Sequence, residues 1–323
     1  MTALKKLSHK LGLLLILCSL PVEAARWDPG TNLEQIPIWP KDLPAIPSNP
    51  SLDESVTPGE KPIGGGPISI IWNVSQPTMT VYPPKAPNSG AAVVVLPGGG
   101  YHGLAIDLEG TEVCDWLTSK GITCILLKYR VPASGPYWDK KCRCHVKPKV
   151  FTALQDTQRT LGLVRANAAK LRVDPKKIGV IGFSAGGHLA AAISTNYKSR
   201  TYPVIDVADK ESCRPDFAMV LYPGHMSDND DNLSDRSKLN PDIPVTSNTP
   251  PTFMVHAMDD PVDTVKYSLL YFNALRKAKV PVEMHLFANG GHAFALRPTE
   301  SSVSDWTALA DGWLRTIGIV PKQ

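Results

Sequence analysis

The sequence predicts an α/β protein with one mostly parallel sheet covered by helices on both faces. Three observations carry that reading. Short apolar runs alternate with amphipathic stretches from about residue 91 to the C-terminal region. The runs at 91–96 and 178–181 are continuously apolar, as expected of strands buried on both faces. The 323 residues are 43% hydrophobic and 20% charged, a globular balance that excludes a disordered chain.

The elements follow in order. Lys5, Lys6 and Lys10 precede an apolar run at 11–20, Pro21 breaks it, and Val22 and Ala24 supply small residues. This is the pattern of a secretory signal peptide over 1–24, with cleavage expected after Ala24 or Ala25. The run falls short of the roughly 20 residues a helix needs to span a bilayer, so no membrane span is expected. A secreted or periplasmic location and an oxidising compartment follow. Residues 25–66 are rich in proline and glycine and read as an extended arm on the surface of an α/β domain at 67–323.

Residues 68–74 and 79–82 read as antiparallel strands joined by a turn. Then come strand 91–96, a helix over 110–120 and strand 122–128. A long amphipathic segment covers 150–171, followed by strand 178–181 and a helix from Ala185. Strands at 217–222 and 252–256, a helix at 265–279, strand 282–287 and a helix at 304–317 complete the alternation. Two polar stretches, 130–149 and 224–250, interrupt it and read as lid or binding loops.

Five cysteines remain after the leader: Cys114, Cys124, Cys142, Cys144 and Cys213. An odd number leaves at least one thiol free or paired outside the chain. A bridge between the Cys142–Cys144 loop and Cys213 suits their polar surroundings, whereas Cys114 and Cys124 read as packed core residues. The pairing itself stays open. Cys142, Cys144 and His145 are too crowded for a zinc site. The run from Asp228 to Asp231 is not a calcium loop, because Leu233 stands where glycine is needed. A formal net charge of +4 gives no electrostatic reason to invoke nucleic acid or anionic lipid.

Chemistry concentrates at Gly182-Phe183-Ser184-Ala185-Gly186, a G-x-S-x-G pattern directly after a Val/Ile strand and before an Ala-rich helix. Glycines permit the tight turn, and Ser184 is lifted to the end of the sheet. A serine hydroxyl needs a base to attack, and the base needs an orienting acid. His292, in the Gly-rich loop after strand 282–287, is the candidate base. His188 lies on the helix after the nucleophile, His102 follows a glycine run, His145 and His225 lie in loops, and His256 and His285 lie inside strands. The acid is expected after strand 252–256, where Asp260 fits the D-x-V spacing and Asp259 is the alternative. Gly98-Gly99-Gly100 ends the buried strand 91–96. The N–H groups of Gly99, Gly100 and Ala185 are assigned to an oxyanion hole. A phosphate loop is excluded, since no Gly-Lys-Ser/Thr follows.

Pro97-Gly-Gly-Gly-Tyr101, Lys128-Tyr-Arg-Val-Pro132, Gly182-Phe-Ser-Ala-Gly-Gly-His-Leu-Ala190, Asp259-Asp-Pro-Val262 and Gly290-Gly-His-Ala-Phe294 resemble the α/β-hydrolase superfamily. Within it they are similar to bacterial feruloyl/acetyl xylan esterase-like and hormone-sensitive-lipase-like enzymes. Pro97 stands where lipase relatives carry histidine. The resemblance implies hydrolysis of short acyl esters, acetyl above all, on small-molecule, oligosaccharide or polysaccharide substrates such as xylan. Ser184, Asp260 and His292 would form the triad, without cofactor or metal. The competing expectations are a prolyl-oligopeptidase-like peptidase, a general short-chain carboxylesterase or lipase, and a non-catalytic binding protein. The short stretch before the first strand argues against the peptidase's usual N-terminal domain. An intact triad argues against the binding protein. Oligomeric state is not legible.

Overall fold

Val93, Val94, Val95 and Leu96 expose no surface, and neither do Ile178, Val180 and Ile181. Strands apolar on both faces require cover on both, and the fold supplies it. The computed structural model describes residues 27–41, 53–59, 63–132, 151–228 and 238–321, with the backbone of 138–139 and 144–145. The proposed signal peptide, Cys142 and most of the loop around it lie outside the described residues.

Among the described residues, eight strands form the central sheet. In chain order they are β1 (Ile36–Pro37), β2 (Thr78–Tyr82), β3 (Ala92–Leu96), β4 (Thr123–Lys128), β5 (Ile178–Phe183), β6 (Ala218–Leu221), β7 (Thr252–Ala257) and β8 (Val282–Phe287). Their spatial order is β1-β2-β4-β3-β5-β6-β7-β8. The β1–β2 and β2–β4 pairs are antiparallel and all the others are parallel.

Helix α1 (Glu112–Ser119) packs on β4, and its Trp116 meets Trp306 of the C-terminal helix, ring centroids 5.4 Å apart. Helix α2 (Phe151–Ala166) packs on α3 (Ala185–Thr195), which lies against β5 and β6. Helix α4 (Lys266–Lys277) covers β7 and β8, and α5 (Trp306–Thr316) closes the chain.

Three expectations are corrected. The strands near residues 70 and 80 do not pair with each other. Ser69–Trp72 joins a separate small sheet with Ser55–Pro58 and Gly103–Ala105, while β2 enters the central sheet. The reason is local: Asn73 takes a left-handed φ of 57°, and Val74 pairs with Val131, so the chain crosses between sheets instead of turning back.

The N-terminal arm is also more than a surface strap. Ile36–Pro37 extends the central sheet and Ile38 is only 1% exposed. Arg159 Nε donates to the Ile38 carbonyl, and Trp39 Nε1 donates to Asp156 Oδ1 at 2.7 Å. Finally, Cys114 and Cys124 are buried as core residues should be, but they form a disulfide between α1 and β4, with Cα atoms 5.2 Å apart. Cys213 is buried with a free thiol hydrogen-bonded to the Tyr197 carbonyl.

One buried ion pair ties arm, sheet and helix together. Asp156 on α2 accepts from the backbone N–H, Nε and Nη2 of Arg130, just past β4. The guanidinium of Arg130 stacks over the Trp39 ring, 5.6 Å from its centroid. Removing one partner strands the other charge in the interior. Asp156→Ala is therefore expected to cost about 3–5 kcal/mol in urea unfolding. A change below about 1 kcal/mol would show that the pair is not holding the arm.

Candidate active site

Parallel strands that end level bring their following loops to one edge of the sheet. Here four loops, after β3, β5, β7 and β8, meet at that edge. The register pairs Gly182 of β5 with Leu96 of β3, so residues 97–100 lie beside residue 184.

The turn after β5 is steep. Ser184 has φ 51° and ψ −119°, a strained conformation for a residue with a Cβ. Two glycines allow it. A Cβ on Gly182 would strike the Gly186 carbonyl, and one on Gly186 would strike the Leu96 carbonyl. Ser184 is 8% exposed and its Oγ lies 3.1 Å from His292 Nε2.

His292 Nδ1 lies 2.7 Å from Asp260 Oδ2. A carboxylate only accepts, so Nδ1 carries the proton and Nε2 presents its lone pair to Ser184. Burial pulls the imidazolium down, but the hydrogen bond and charge of Asp260, with the charges of Asp263 and Glu109, outweigh it. The net effect raises the His292 pKa above its ordinary 6.5.

The side chain of Asp260 has no exposed surface. Burial alone would raise its pKa. Hydrogen bonds from His256 and His292, the charge of His292 and the Asp263 N–H instead hold it well below the usual carboxylate range. Asp260 Oδ1 also accepts from the N–H groups of Val262 and Asp263, at 2.8 and 2.9 Å. Asp259 does different work: its Oδ1 accepts the Gly291 N–H at 2.8 Å and so fixes the histidine loop.

His256 stands behind the acid. Its Nε2 donates to the Asp263 carbonyl at 2.8 Å and lies 3.3 Å from Asp260 Oδ2. Its Nδ1 then accepts from the Ser268 hydroxyl, 2.8 Å away. Among the other described histidines, His188 bonds Tyr101, His285 pairs with Glu283, and His225 packs against the Tyr101 ring within electrostatic reach of Asp263.

The glycine run folds into a tight turn. The N–H groups of His102 and Gly103 both donate to the Gly99 carbonyl, and Tyr129 Oη donates to the Pro97 carbonyl. Gly99 and Gly100 take φ of 129° and 62°, conformations glycine adopts freely. A Cβ on Gly98 would lie 2.9 Å from Ser184 Cβ, so the run abuts the nucleophile. The N–H groups of Gly99, Gly100 and Ala185 donate to no acceptor among the described residues.

Two carboxylates at the site were not singled out from the sequence. Glu109 lies in a π-helical turn, Asp107–Thr111, that leads into α1. It is 2% exposed, accepts the Gly98 N–H at 2.7 Å on Oε2, and accepts the Tyr222 hydroxyl at 2.9 Å on Oε1. Burial raises its pKa against the lowering effects of His292, Tyr222 and Gly98. The Tyr222 ring, after β6, packs edge-on against His292 at 5.1 Å. Asp263 is the second. Its Oδ2 lies 3.3 Å from Ser184 Oγ and 3.8 Å from His292 Nε2. The only sequence signals were an acid inside an apolar stretch for Glu109 and an acid three residues past Asp260 for Asp263.

Residues 113–317 match the prolyl oligopeptidase family. The acetylxylan esterase of Xylanibacter ruminicola is 30% identical over 255 residues, 76% of this chain and 49% of the relative. Endo-1,4-β-xylanase B of Butyrivibrio fibrisolvens is 29% identical over 224 residues, 64% of this chain and 33% of the relative. The chain thus spans about half the length of the first curated relative and a third of the second. The crystal structure of an acetyl ester-xyloside bifunctional hydrolase from Caldicellulosiruptor lactoaceticus aligns with a TM-score of 0.69 at 31% identity. That alignment covers 89% of this chain and 97% of that one.

Glu109 makes a specific demand on the site. A glutamine there keeps the shape but can accept from only one of the two donors, setting an NH2 against the other. Glu109→Gln is expected to slow phosphonylation of Ser184 by a fluorophosphonate about tenfold, since the loop beside the nucleophile loses an anchor. An unchanged rate constant would show that Glu109 does not position that loop.

Proposed function

The chain belongs to the prolyl oligopeptidase family of α/β hydrolases, and from that premise we infer that it is a serine esterase releasing short acyl groups, acetyl above all, from carbohydrate such as xylan. The relay from Ser184 Oγ through His292 to Asp260, at 3.1 and 2.7 Å, carries the reading. The substrate class is supported by the alignment across almost the whole acetyl ester-xyloside hydrolase and by the two xylan-related relatives.

Each residue then has a role. His292 Nε2 takes the Ser184 proton as Oγ attacks the ester carbonyl. The N–H groups of Gly99, Gly100 and Ala185 receive the negative oxygen of the tetrahedral intermediate, and losing one such donor typically costs about 2.7–4 kcal/mol of transition-state stabilisation. Asp260 holds the Nδ1–H tautomer and stabilises the imidazolium. The imidazolium protonates the departing sugar oxygen. Water activated by the same Nε2 releases the carboxylic acid.

Export belongs to this reading. Residues 1–24 carry the leader pattern, and a Cys114–Cys124 disulfide suits an oxidising compartment. N-terminal sequencing of protein recovered outside the cytoplasm should begin at Ala25 or Arg26; an intact Met1 on that protein would refute cleavage.

The decisive assay is acetate release from acetylated xylan, with p-nitrophenyl acetate and a prolyl anilide as controls. Ser184→Ala should lower turnover of both esters by at least about 10⁴-fold while remaining folded. The family's peptidase reading predicts the opposite pattern, with cleavage of the anilide alone. The pH profile is a second check. The base works as neutral imidazole, so activity is lost as pH falls through the His292 pKa. With that pKa raised, the acid limb of kcat/KM should have its midpoint above pH 6.5. A midpoint below that value would contradict the electrostatics described.

A further inference from the structure

Asp263 is a carboxylate inside the site that the relay does not use. Its oxygen lies 3.3 Å from the nucleophile and 3.8 Å from the base nitrogen, so it stands beside the gap between them. The leaving oxygen of an ester must cross that gap to take its proton from Nε2. An anionic oxygen there cannot assist the oxyanion. It would therefore face the alcohol side of the bond to be broken.

The residue is held firmly. Its N–H donates to Asp260 Oδ1 at 2.9 Å, and its carbonyl accepts from His256 Nε2 at 2.8 Å. Space is reserved for the carboxylate as well: a Cβ on Gly224 would come 2.9 Å from both of its oxygens. The Gly224 N–H in turn donates to the Ser184 carbonyl at 3.1 Å. Among the described residues no lysine or arginine pairs with Asp263, Ser184 Oγ donates to its Oδ2 at 3.3 Å, and the charges of His292, His225 and His256 act on it. Its side chain is 16% exposed and its Oδ1 accepts from no described residue, so acceptor capacity remains for a ligand.

We propose that Asp263 selects the alcohol half of the substrate by accepting a hydrogen bond from a free hydroxyl next to the acylated oxygen. The preferred substrates are monoesters of vicinal diols, the arrangement found in partly acylated sugars. The proposal rests on the esterase reading above and specifies which esters that site takes. A carboxylate so placed also disfavours plain alkyl esters, because once Ser184 Oγ has given up its proton no other described residue donates to Oδ2.

The test compares trans-1,2-cyclohexanediol monoacetate with cyclohexyl acetate, which differ only by the neighbouring hydroxyl. The wild-type protein should prefer the diol ester in kcat/KM. Asp263→Ala should reduce that preference by at least about tenfold, with Asp263→Asn intermediate because an amide oxygen still accepts. Gly224→Ala, which pushes the carboxylate aside, should shift the preference in the same direction and serves if the Asp263 variants fail to fold. Wild-type turnover without a hydroxyl preference, or a ratio unchanged to within about twofold in Asp263→Ala, overturns this proposal alone. A wild-type protein that cleaves neither acetate overturns it together with the esterase reading.

Discussion

A single hydrogen bond, from His292 Nδ1 to the buried carboxylate of Asp260, organises the site. It decides which imidazole nitrogen is free, and so whether Ser184 faces a lone pair or a proton. A buried charge is costly unless its lone pairs are filled. Asp260 meets that condition with His292, His256 and the N–H groups of Val262 and Asp263. The same contacts fix neighbouring parts. Asp263 is aimed by its N–H on Asp260, and His256 is set in one tautomer by the Asp263 carbonyl it must donate to.

The sheet makes that bond available. Loops following β3, β5, β7 and β8 converge because these strands are parallel and their ends lie level. Glycine at 182 lets the turn at Ser184 close on itself, and glycine at 186 lets it press against the end of β3, where a single methyl group would separate them. The glycine run is gripped from three sides: Glu109 holds Gly98, Tyr129 holds Pro97, and Gly103–Ala105 pairs into the small sheet. In the proposed mechanism the donors for a developing negative charge would thus be fixed before any substrate arrives, which is where electrostatic catalysis gains most.

Much of this was legible in the chain. The parallel strands were readable because burial on both faces leaves continuous apolar runs such as 91–96 and 178–181. Ser184 was readable because the turn tolerates few residues, and His292 because it sits in glycines past a strand. What was not readable depends on long-range packing. Nothing in Leu104-Ala-Ile-Asp-Leu-Glu109 says which acid is buried; the π-helical turn and the approach of Tyr222 decide it. Asp263 looks like a solvated turn residue until its carboxylate is seen beside Ser184. The Cys114–Cys124 bridge was hidden because either cysteine fits an apolar core position. The two-sheet course of residues 69–82 was hidden because a short polar segment between strands resembles a hairpin, and only the left-handed Asn73 and the Val74–Val131 bridge show otherwise.

The central claim is that imidazole and carboxylate together make Ser184 a nucleophile. Mapping a fluorophosphonate adduct by peptide mass spectrometry tests it most directly. The geometry requires modification of Ser184 alone in the wild-type chain, and near-complete loss of that adduct in His292→Ala. An adduct on another serine, or equal labelling of Ser184 without the imidazole, would contradict it.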